Sequence, residues 1–438
     1  MTTIQQVAQK MQTILSSTAD AAARETHFVQ RKSKMTGAKF TQTLVFGWLS
    51  NPQATLEELA QTAVTLGVEI SPQGLDQRFT QAAAPCLKQV LGAAVAEMVG
   101  AEPVAIPILE RFNGVYILDG STIRLPTALA DEWAGCGNRV PGNEAAVKVQ
   151  VCLDLSTGAL RGPLLQDGRA HDRSSPLQTA PLPAGALRLA DLGYFSLDIL
   201  QEMDAQGVYW LSRLQAGTTV FDQKGERQDL ARLLDAQPRG DVDIPIKLGV
   251  RHRLARRLLA ERVPQKVADQ RRPSLRDEAR GRGQTVSQIR LRLAHWTIYV
   301  TNVPAALLSL REALVLARAR WQIELLFKLW KSQGLIDEWR SEKPWRILCE
   351  VYAKLLAMLV QHWLLLVSCW SYPNRSLQKA ARTVQRHGLH LASMFGCQKT
   401  LCKVIVAIQR CLAVGCRINK RRVAPYTYQL LLNLPMGA

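Results

Sequence analysis

Short apolar runs in the middle of this chain predict the strands of a sheet. Five such runs lie at 115–118, 147–155, 159–165, 187–190 and 208–211. The turn Ser156-Thr157-Gly158 joins the second run to the third, and a predicted helix ending near Gln206 joins the fourth to the fifth. A three-strand meander followed by a βαβ unit is the strand order of a ribonuclease-H-like sheet. The pattern therefore predicts an α/β fold with a ribonuclease-H-like core.

The pattern changes after the fifth run. Residues 215–295 are rich in Arg, Gly and Gln, and short alternating runs within them predict an inserted β subdomain with a basic surface. These runs lie at 242–248, 258–263 and 289–293. The polar stretch 265–284 is predicted to be a mobile loop, and a further strand is predicted at 296–301.

Helical periods dominate both ends of the chain. Residues 344–370 predict one long apolar helix, which Gln361 and His362 interrupt, so we expect a buried core helix and no membrane span. The complete pattern predicts an N-terminal helical region, two parts of the core separated by the insertion, and a C-terminal helical region. The expected boundaries are 1–105, 106–214, 215–295, 296–340 and 341–438.

The charge balance indicates a polyanionic partner. The chain has 55 Lys and Arg against 36 Asp and Glu, which gives a net charge of +19. Because the cations are largely Arg and are spread along the chain, double-stranded DNA is the expected partner, although a membrane-surface protein could have the same net charge. Residues 1–35 contain no apolar signal-peptide core, and the nine cysteines form no Cys-x-x-Cys pair. We therefore expect a cytoplasmic protein with reduced thiols.

A helix-turn-helix is predicted near the N-terminus. Thr55 and Glu58 form a capping box, Gly67 ends the first helix, and Ser71-Pro72 begins the second. The second helix carries side chains that can reach bases or phosphates, namely Gln73, Gln77 and Arg78. A helical hairpin with no DNA contact fits this pattern about as well, and the net charge favours DNA.

One helical stretch, Arg318 to Lys331, combines an apolar circumference with a charged stripe. At about 100° per residue, Arg320, Glu324 and Lys331 fall within about 40° of one another, whereas Trp321, Leu325 and the other apolar side chains fill the remaining faces. We expect this helix to be covered by protein on several sides, with its stripe open to a cleft. The alternative is an ordinary surface ion pair between Arg320 and Glu324.

Two aspartates terminate apolar strands upstream. Asp119 follows the run 115–118, and Asp191 follows the run 187–190. Carboxyl ends of strands are where open α/β sheets place their chemistry. Together with Glu324, these carboxylates suit two Mg²⁺ ions, for which Mn²⁺ can substitute, in an in-line phosphoryl transfer on DNA. Arg320 and Lys331 would then hold phosphates.

The three motifs resemble those of bacterial insertion-sequence transposases of the DDE type, in the cut-and-paste subgroup that excises its element through DNA hairpins. Arg320, Glu324 and Lys331 match a Tyr-x2-Arg-x3-Glu-x6-Lys signature by spacing, while its tyrosine falls at Ala317. The other two motifs match at 119–121, Asp-Gly-Ser, and at 191–195, Asp-Leu-Gly-Tyr-Phe. The likeness spans roughly residues 40–430, and the three motifs in this order are specific.

The resemblance implies the remaining expectations. The enzyme would bind the terminal inverted repeats of its element in double-stranded DNA and would act as a homodimer, with no membrane involved. It would lie in the bacterial cytoplasm, associated with the nucleoid. Tyr194 and Trp296 would contact DNA, with Trp296 stacking on a flipped base or, in the alternative, lying in the core. Two other functions stay open: a catalytically silent DNA-binding regulator, and a nuclease of the same fold that does not transfer strands.

Overall fold

The computed structural model describes residues 2–136, 144–237, 240–281 and 283–434, and the chain divides into two compact units. The first unit contains Met1–Ile106, Asp119–Ala170 and Trp321–Gln429, and the second contains Pro107–Leu118, His171–Arg320 and Leu430–Ala438. Asp119 and Glu324 belong to the first unit, and Asp191 belongs to the second.

Helices make up most of the first unit. Before the sheet begins, the N-terminal segment forms six helices, with one π-helical turn at Ile14–Thr18 between the first two. They are α1 (Ile4–Thr13), α2 (Ala19–Glu25), α3 (Gly37–Ser50), α4 (Leu56–Thr65), α5 (Pro72–Asp76) and α6 (Ala83–Ala96). A short helix, α7 (Pro107–Glu110), opens the next segment, which belongs to the second unit.

The first five strands and the helices between them follow the predicted order. They are β1 (Val115–Leu125), β2 (Ala145–Asp154), β3 (Leu160–Asp167), α8 (Pro176–Thr179), β4 (Leu187–Ala190), α9 (Leu197–Ala205) and β5 (Tyr209–Arg213). β2 pairs with β3 in an antiparallel hairpin. β4 pairs in parallel with residues 115–118 of β1 and with β5. The predicted meander and βαβ unit are therefore present as strands in the expected sequence.

The segment predicted as an inserted β subdomain contains helices as well as strands. Its elements are β6 (Val220–Phe221), β7 (Arg227–Gln228), α10 (Leu230–Asp235), β8 (Asp241–Leu248), β9 (Leu254–Arg262), α11 (Gln265–Gly281) and α12 (Gln288–Leu293). The strand β10 (Trp296–Thr301) follows and pairs with both β5 and β9. Within the second unit the strands run in the order β1-β4-β5-β10-β9-β8-β6-β7.

Two predictions within this segment are wrong. The stretch expected to be a loop over 265–284 contains the 17-residue helix α11. The stretch expected to be a strand over 289–293 belongs to α12, because the Ser287 hydroxyl accepts the Arg290 backbone N–H and caps a helix there. Its alternating apolar residues suit a strand equally well, so the pattern alone could not distinguish the two.

The C-terminal part of the chain is helical, as predicted. Its helices are α13 (Leu310–Ala319), α14 (Trp321–Ser332), α15 (Pro344–Cys369), α16 (Leu377–Arg386), α17 (Gly388–Met394), α18 (Gln398–Gly415) and α19 (Thr427–Leu432). α15 packs against α3, α6, α16 and α18 in the first unit. It is long and apolar enough to cross a membrane by length and composition, but 94% of its most apolar stretch is buried inside the protein. This burial fits the predicted core helix.

Candidate active site

Asp119 lies within β1, where its neighbour must be small. The side chain is half-buried, and its Oδ1 accepts the backbone N–H of Gly120 at 2.8 Å. A Cβ atom on residue 120 would lie 3.0 Å from Oε1 of Gln150, a fully buried side chain on β2. Glycine therefore lets β1 lie close to the Gln150 side chain immediately beside the carboxylate.

Asp191 follows the last residue of β4 and begins a 3₁₀ turn over Leu192–Tyr194. Its carbonyl oxygen accepts the Tyr194 backbone N–H at 3.0 Å, and its side chain is half-buried. A Cβ atom on Gly193 would lie 2.7 Å from Oδ2 of Asp172, so the turn leaves no room for a side chain there. The Asp-Leu-Gly-Tyr-Phe sequence thus suits a tight turn that fixes the aspartate at the end of its strand.

Tyr194 itself faces the interior. Its side chain is buried, and its carbonyl oxygen accepts Nε2 of Gln178 at 3.1 Å. The Gln178 Oε1 in turn accepts a 2.7 Å hydrogen bond from the guanidinium of Arg188, which is buried on β4. These bonds hold the turn against β4. A contact between Tyr194 and DNA stays a prediction, and it requires the buried ring to become accessible.

The register of the parallel strands relates the two aspartates. Within the second unit, Leu118 of β1 pairs with Ala190 of β4. Each of these residues directly precedes an aspartate in the sequence, so Asp119 and Asp191 follow the two members of one parallel pair. The prediction that Asp119 ends its strand is wrong, because β1 continues to Leu125, whereas Asp191 directly follows the last residue of β4.

Glu324 is half-buried in the first turn of α14. The prediction of one helix from Arg318 to Lys331 is wrong in detail, because α13 ends at Ala319, Arg320 is its C-cap, and α14 begins at Trp321. The helix is also less covered than expected, since Trp321 is 55% exposed and Leu325 is 39% exposed. The buried face of α14 consists of Ile323, Leu326, Phe327, Leu329 and Trp330.

Lys331 ties α14 to β1 within the first unit. Its Nζ donates to the carbonyl oxygen of Thr122 at 3.1 Å and lies 3.8 Å from Oδ2 of Asp337. Thr122 is three residues beyond Asp119 on the same strand. The tie therefore links the helix that carries Glu324 to the strand that carries Asp119, and the predicted phosphate contact would require the ammonium group to leave or share these partners.

A buried ion pair on α15 holds the loop that follows α14. Nζ of Lys354 lies 2.8 Å from Oε1 of Glu350 and donates to the carbonyl oxygens of Leu335 and Glu338 at 3.1 and 2.8 Å. The two side chains are 2% and 3% exposed. Burial lowers the pKa of Lys354, while the neighbouring Glu350 carboxylate opposes that shift. The same loop contains Asp337, so this pair supports the partner of Lys331.

Sequence reasoning missed Glu350 and Lys354. Their signal was present, because they are two opposite charges spaced i,i+4 inside an otherwise apolar helix. Two charges in such a helix require partners when they are buried. The loop carbonyl oxygens that accept from Lys354 come from residues 335 and 338, which no local pattern marks as partners.

The predicted helix-turn-helix has its expected caps and a short second helix. The Thr55–Glu58 capping box is formed, and the Ser71 hydroxyl accepts the Gly74 backbone N–H at 3.0 Å. However, α5 ends at Asp76. Gln73 and Gln77 are exposed, whereas Arg78 is half-buried and donates to the Ser33 hydroxyl at 3.2 Å. A contact of these side chains with DNA stays a prediction.

Asp76 anchors α5 on the beginning of α15. Its carboxylate lies 2.6 Å from Nζ of Lys343 and 2.9 Å from a guanidinium nitrogen of Arg346. The hydrogen bond from Lys343 lowers the pKa of Asp76, and the Arg346 charge adds to that effect. The anchor leaves the neighbouring Gln73 and Gln77 exposed.

Trp296 lies in the core of the second unit. It is 4% exposed and packs in a cluster that includes Trp210, Leu258 and Val300. It also lines a cavity of about 870 Å³ between β10, α11 and α12. Four arginines share this lining, namely Arg213, Arg227, Arg271 and Arg290. This burial favours the core alternative for Trp296, and a stacking role stays a prediction that requires a base to enter the cavity.

The chemistry of the predicted metal ligands is suitable. Asp119, Asp191 and Glu324 supply only hard carboxylate oxygens, and all three side chains are half-buried, so solvent reaches them. Among the residues that the structure describes, no group of three or more His, Cys, Asp or Glu side chains is positioned to hold a metal ion. The donor set thus fits Mg²⁺ or Mn²⁺ by ligand type, and metal binding stays a prediction.

Comparison with known proteins identifies the family. A family model described as transposase DDE domain matches residues 110–360. The transposase for insertion sequence element IS231E of Bacillus thuringiensis subsp. finitimus is 30% identical over 362 residues, which cover 77% of this chain and 75% of the relative. The transposase for insertion sequence element IS1151 of Clostridium perfringens is 25% identical over 364 residues, which cover 77% and 76%. The chain therefore belongs to the DDE transposase family and is a transposase.

Proposed function

We propose that this transposase binds the terminal inverted repeats of an insertion sequence, cleaves its ends through DNA hairpins and transfers the strands to a target. Its family generally uses divalent metal ions, and its domain implies a ribonuclease-H-like fold. The observation that carries the proposal is the parallel register of Leu118 with Ala190, since each residue precedes one of the predicted catalytic aspartates.

Asp119, Asp191 and Glu324 would hold two Mg²⁺ ions. When bound, the ions supply activation of the attacking water or 3′-hydroxyl and stabilisation of the leaving oxygen. The tie between Lys331 and Thr122 supports the inclusion of Glu324, because it fixes α14 to the strand of Asp119 inside the first unit. Arg320 and Lys331 would hold phosphates next to the carboxylates.

The DNA contacts form the second part of the proposal. Gln73, Gln77 and Arg78 would contact the inverted repeats, and Trp296 would stack on a base that the hairpin releases. The enzyme would act as a homodimer in which one protomer cleaves the end bound by its partner. We place it in the bacterial cytoplasm, on the nucleoid.

Cleavage of a DNA fragment carrying the element's own ends tests this function. With Mg²⁺, we expect nicking, a hairpin product of doubled strand length on a denaturing gel, and joining of a precleaved end to a plasmid. A silent regulator would bind the ends without cutting them. A nuclease of the same fold would cut them without joining.

Alanine variants of the three carboxylates test the site. Asp119→Ala, Asp191→Ala or Glu324→Ala should abolish cleavage and keep end binding within a few-fold, because phosphate contacts do not depend on these ligands. Titration with Mn²⁺, followed by its paramagnetic relaxation of water, should show weaker metal binding in each variant. Glu342→Ala, which removes an exposed carboxylate, is the matched control. Cleavage retained by any one of the three variants would remove that residue from the site.

A further inference from the structure

The net positive charge of this chain is concentrated at its C-terminal end. Residues 351–438 contain twelve Lys and Arg and no Asp or Glu. This segment therefore carries twelve of the chain's nineteen excess positive charges. Ordinary protein surfaces intersperse charges of both signs, so a segment of this length without a carboxylate side chain requires an explanation.

Ten of these twelve cations are exposed. Lys354 is paired with Glu350, and Arg375 is half-buried with its guanidinium donating to the carbonyl oxygens of Trp370 and Tyr372. The exposed ten lie on two helices and on the segment after α18. They are Lys379, Arg382 and Arg386 on α16, Lys399, Lys403 and Arg410 on α18, and Arg417, Lys420, Arg421 and Arg422. Within the described part of the chain, none of the ten has a carboxylate within ion-pair distance.

The cations on each helix form a stripe. Lys399, Lys403 and Arg410 fall within about 40° of one another on α18, which spreads them over about 16 Å. Lys379, Arg382 and Arg386 fall within about 60° on α16. A length of 16 Å corresponds to roughly five base pairs of duplex DNA along its axis.

The spacing of these cations costs helix stability. Lys379–Arg382 is an i,i+3 pair, and Arg382–Arg386 and Lys399–Lys403 are i,i+4 pairs, at which like charges repel. A glutamate in any of these positions would replace repulsion with attraction. A polyanion bound along the stripes would offset the repulsion, which gives the pattern a physical reason.

Helix packing and hydrogen bonds hold the two helices and the following segment together. α16 packs against α18. Nζ of Lys379 donates to the carbonyl oxygen of Arg417 at 3.1 Å, and the backbone N–H of Ile418 donates to the carbonyl oxygen of Asn374 at 2.9 Å. The segment after α18 is therefore attached to the beginning of α16, so the ten cations belong to one packed region of the first unit.

We propose that these ten exposed cations, here called the C-terminal basic surface, bind the target duplex through its phosphates. The proposal rests on the proposed function, because only an enzyme that transfers strands needs a second duplex. A target has no fixed sequence, and a surface of Lys and Arg can hold any duplex because phosphate contacts carry no sequence information. A second copy of this surface is a poor partner, since like charges would face each other.

Two triple variants test the surface in the full-length chain. Each replaces one stripe with glutamine, which keeps a good helix-forming side chain and removes three charges. They are Lys379→Gln/Arg382→Gln/Arg386→Gln and Lys399→Gln/Lys403→Gln/Arg410→Gln. Circular dichroism should show unchanged helix content. The matched control removes three exposed cations that have carboxylate partners, in Lys88→Gln/Arg232→Gln/Arg280→Gln.

Binding to a duplex without the element's ends is measured from about 50 to 200 mM salt. We expect each stripe variant to reduce the slope of log affinity against log salt by about two to three units, because each phosphate contact contributes about 0.9. Joining of a precleaved end to a plasmid should fall in parallel, while cleavage of the ends stays within two-fold. The control should change the slope by less than about one unit.

Several outcomes would overturn the proposal. They are an unchanged slope in the stripe variants, an equal change in the control, and a loss of end cleavage as large as the loss of joining. If the stripe variants lose more of their binding to phosphatidylserine vesicles than of their binding to DNA, the surface would be assigned to a membrane instead. If the wild-type chain fails to cleave its ends, the proposed function fails, and the slope measured on the end-free duplex still decides whether this surface binds DNA.

Discussion

The helices α15 and α11 differ most in how they are held. In α15, 22 of 26 residues are buried, whereas in α11 only Ala268 and Ala279 are buried among 17 residues. Protein surrounds α15, so each of its ionisable side chains needs a partner. In contrast, α11 is attached through a few side chains, of which Arg271 makes the most hydrogen bonds to β10. The core of the first unit thus fixes α15, whereas a few side-chain hydrogen bonds within the second unit fix α11.

The largest expected effect is the loss of Lys354 from α15. Lys354→Met would leave the Glu350 carboxylate buried without its cation and would free the carbonyl oxygens of Leu335 and Glu338. We expect a loss of about 3–5 kcal/mol in the free energy of unfolding, measured by hydrogen exchange of α15 amides.

The double variant Lys354→Met/Glu350→Leu distinguishes the cost of an unpaired buried carboxylate from the cost of the lost hydrogen bonds to the loop. Replacing both partners with apolar side chains removes the uncompensated charge, so most of the stability should return. End cleavage should stay impaired in the double variant if the loop carrying Asp337 supports Lys331. A double variant as unstable as the single one would contradict this account of the pair.

The second effect is a pH dependence of α15. His362 is buried and its Nε2 lies 2.7 Å from the carbonyl oxygen of Gly158, and burial lowers the pKa of His362 to about 4. In the unfolded chain the imidazole has a pKa near 6.5, so it is protonated at a higher pH than in the folded protein. Stability contributed by neutral His362 is therefore present above about pH 6.5 and is lost as the pH falls towards 4, by about 3 kcal/mol in total.

His362→Gln isolates this contribution. Glutamine can donate to the same carbonyl oxygen and does not titrate, whereas the carboxylates titrate in both proteins. Unfolding by urea at several values between pH 7 and pH 4 should show a smaller decrease in the variant. Identical pH profiles would mean that His362 does not titrate as its burial implies.

The third effect concerns α11. Arg271 donates to the carbonyl oxygens of Trp296 and Ala294 and to the Thr297 hydroxyl, at 3.1, 3.4 and 2.9 Å. Arg271→Met should cost about 1–3 kcal/mol. Hydrogen exchange should increase in α11 and stay unchanged in α15, and Arg276→Met, which changes an exposed residue of the same helix, is the control. Faster exchange in α15 would contradict the division between the two helices.

This difference also explains which elements the sequence could predict. The apolar run of α15 identifies a buried helix, and the βαβ order and the caps of α4 and α5 follow from local patterns. In α11 the helical signal is weak, because two buried alanines replace an apolar stripe and a proline, Pro273, lies inside the helix. The contacts of Arg271 with β10 stabilise it, and these come from residues more than twenty positions away.

The candidate site shows the same limit. Motif spacing predicted Asp119, Asp191 and Glu324, and their catalytic role stays a prediction. The strand register pairs the residues that precede the two aspartates, Leu118 and Ala190. Motif spacing could not predict the break between α13 and α14 at Arg320, because no glycine or proline marks that break. Nor could it predict the exposure of Trp321, since an apolar side chain on a helix is usually read as core.

The smallest expected effect concerns Lys331 on α14. If Lys331 contacts a phosphate, both Lys331→Ala and Lys331→Gln should lower the salt slope of end binding by about one unit. Arg320→Ala should do the same, while Lys328→Ala, which changes an exposed lysine of α14, is the control.

The two Lys331 variants differ in the tie to Thr122, because glutamine keeps a donor and alanine does not. Hydrogen exchange of α14 should therefore increase more in Lys331→Ala than in Lys331→Gln. An unchanged slope with faster exchange only in Lys331→Ala would leave Lys331 as a structural tie between α14 and β1, and the phosphate contact would belong to another cation.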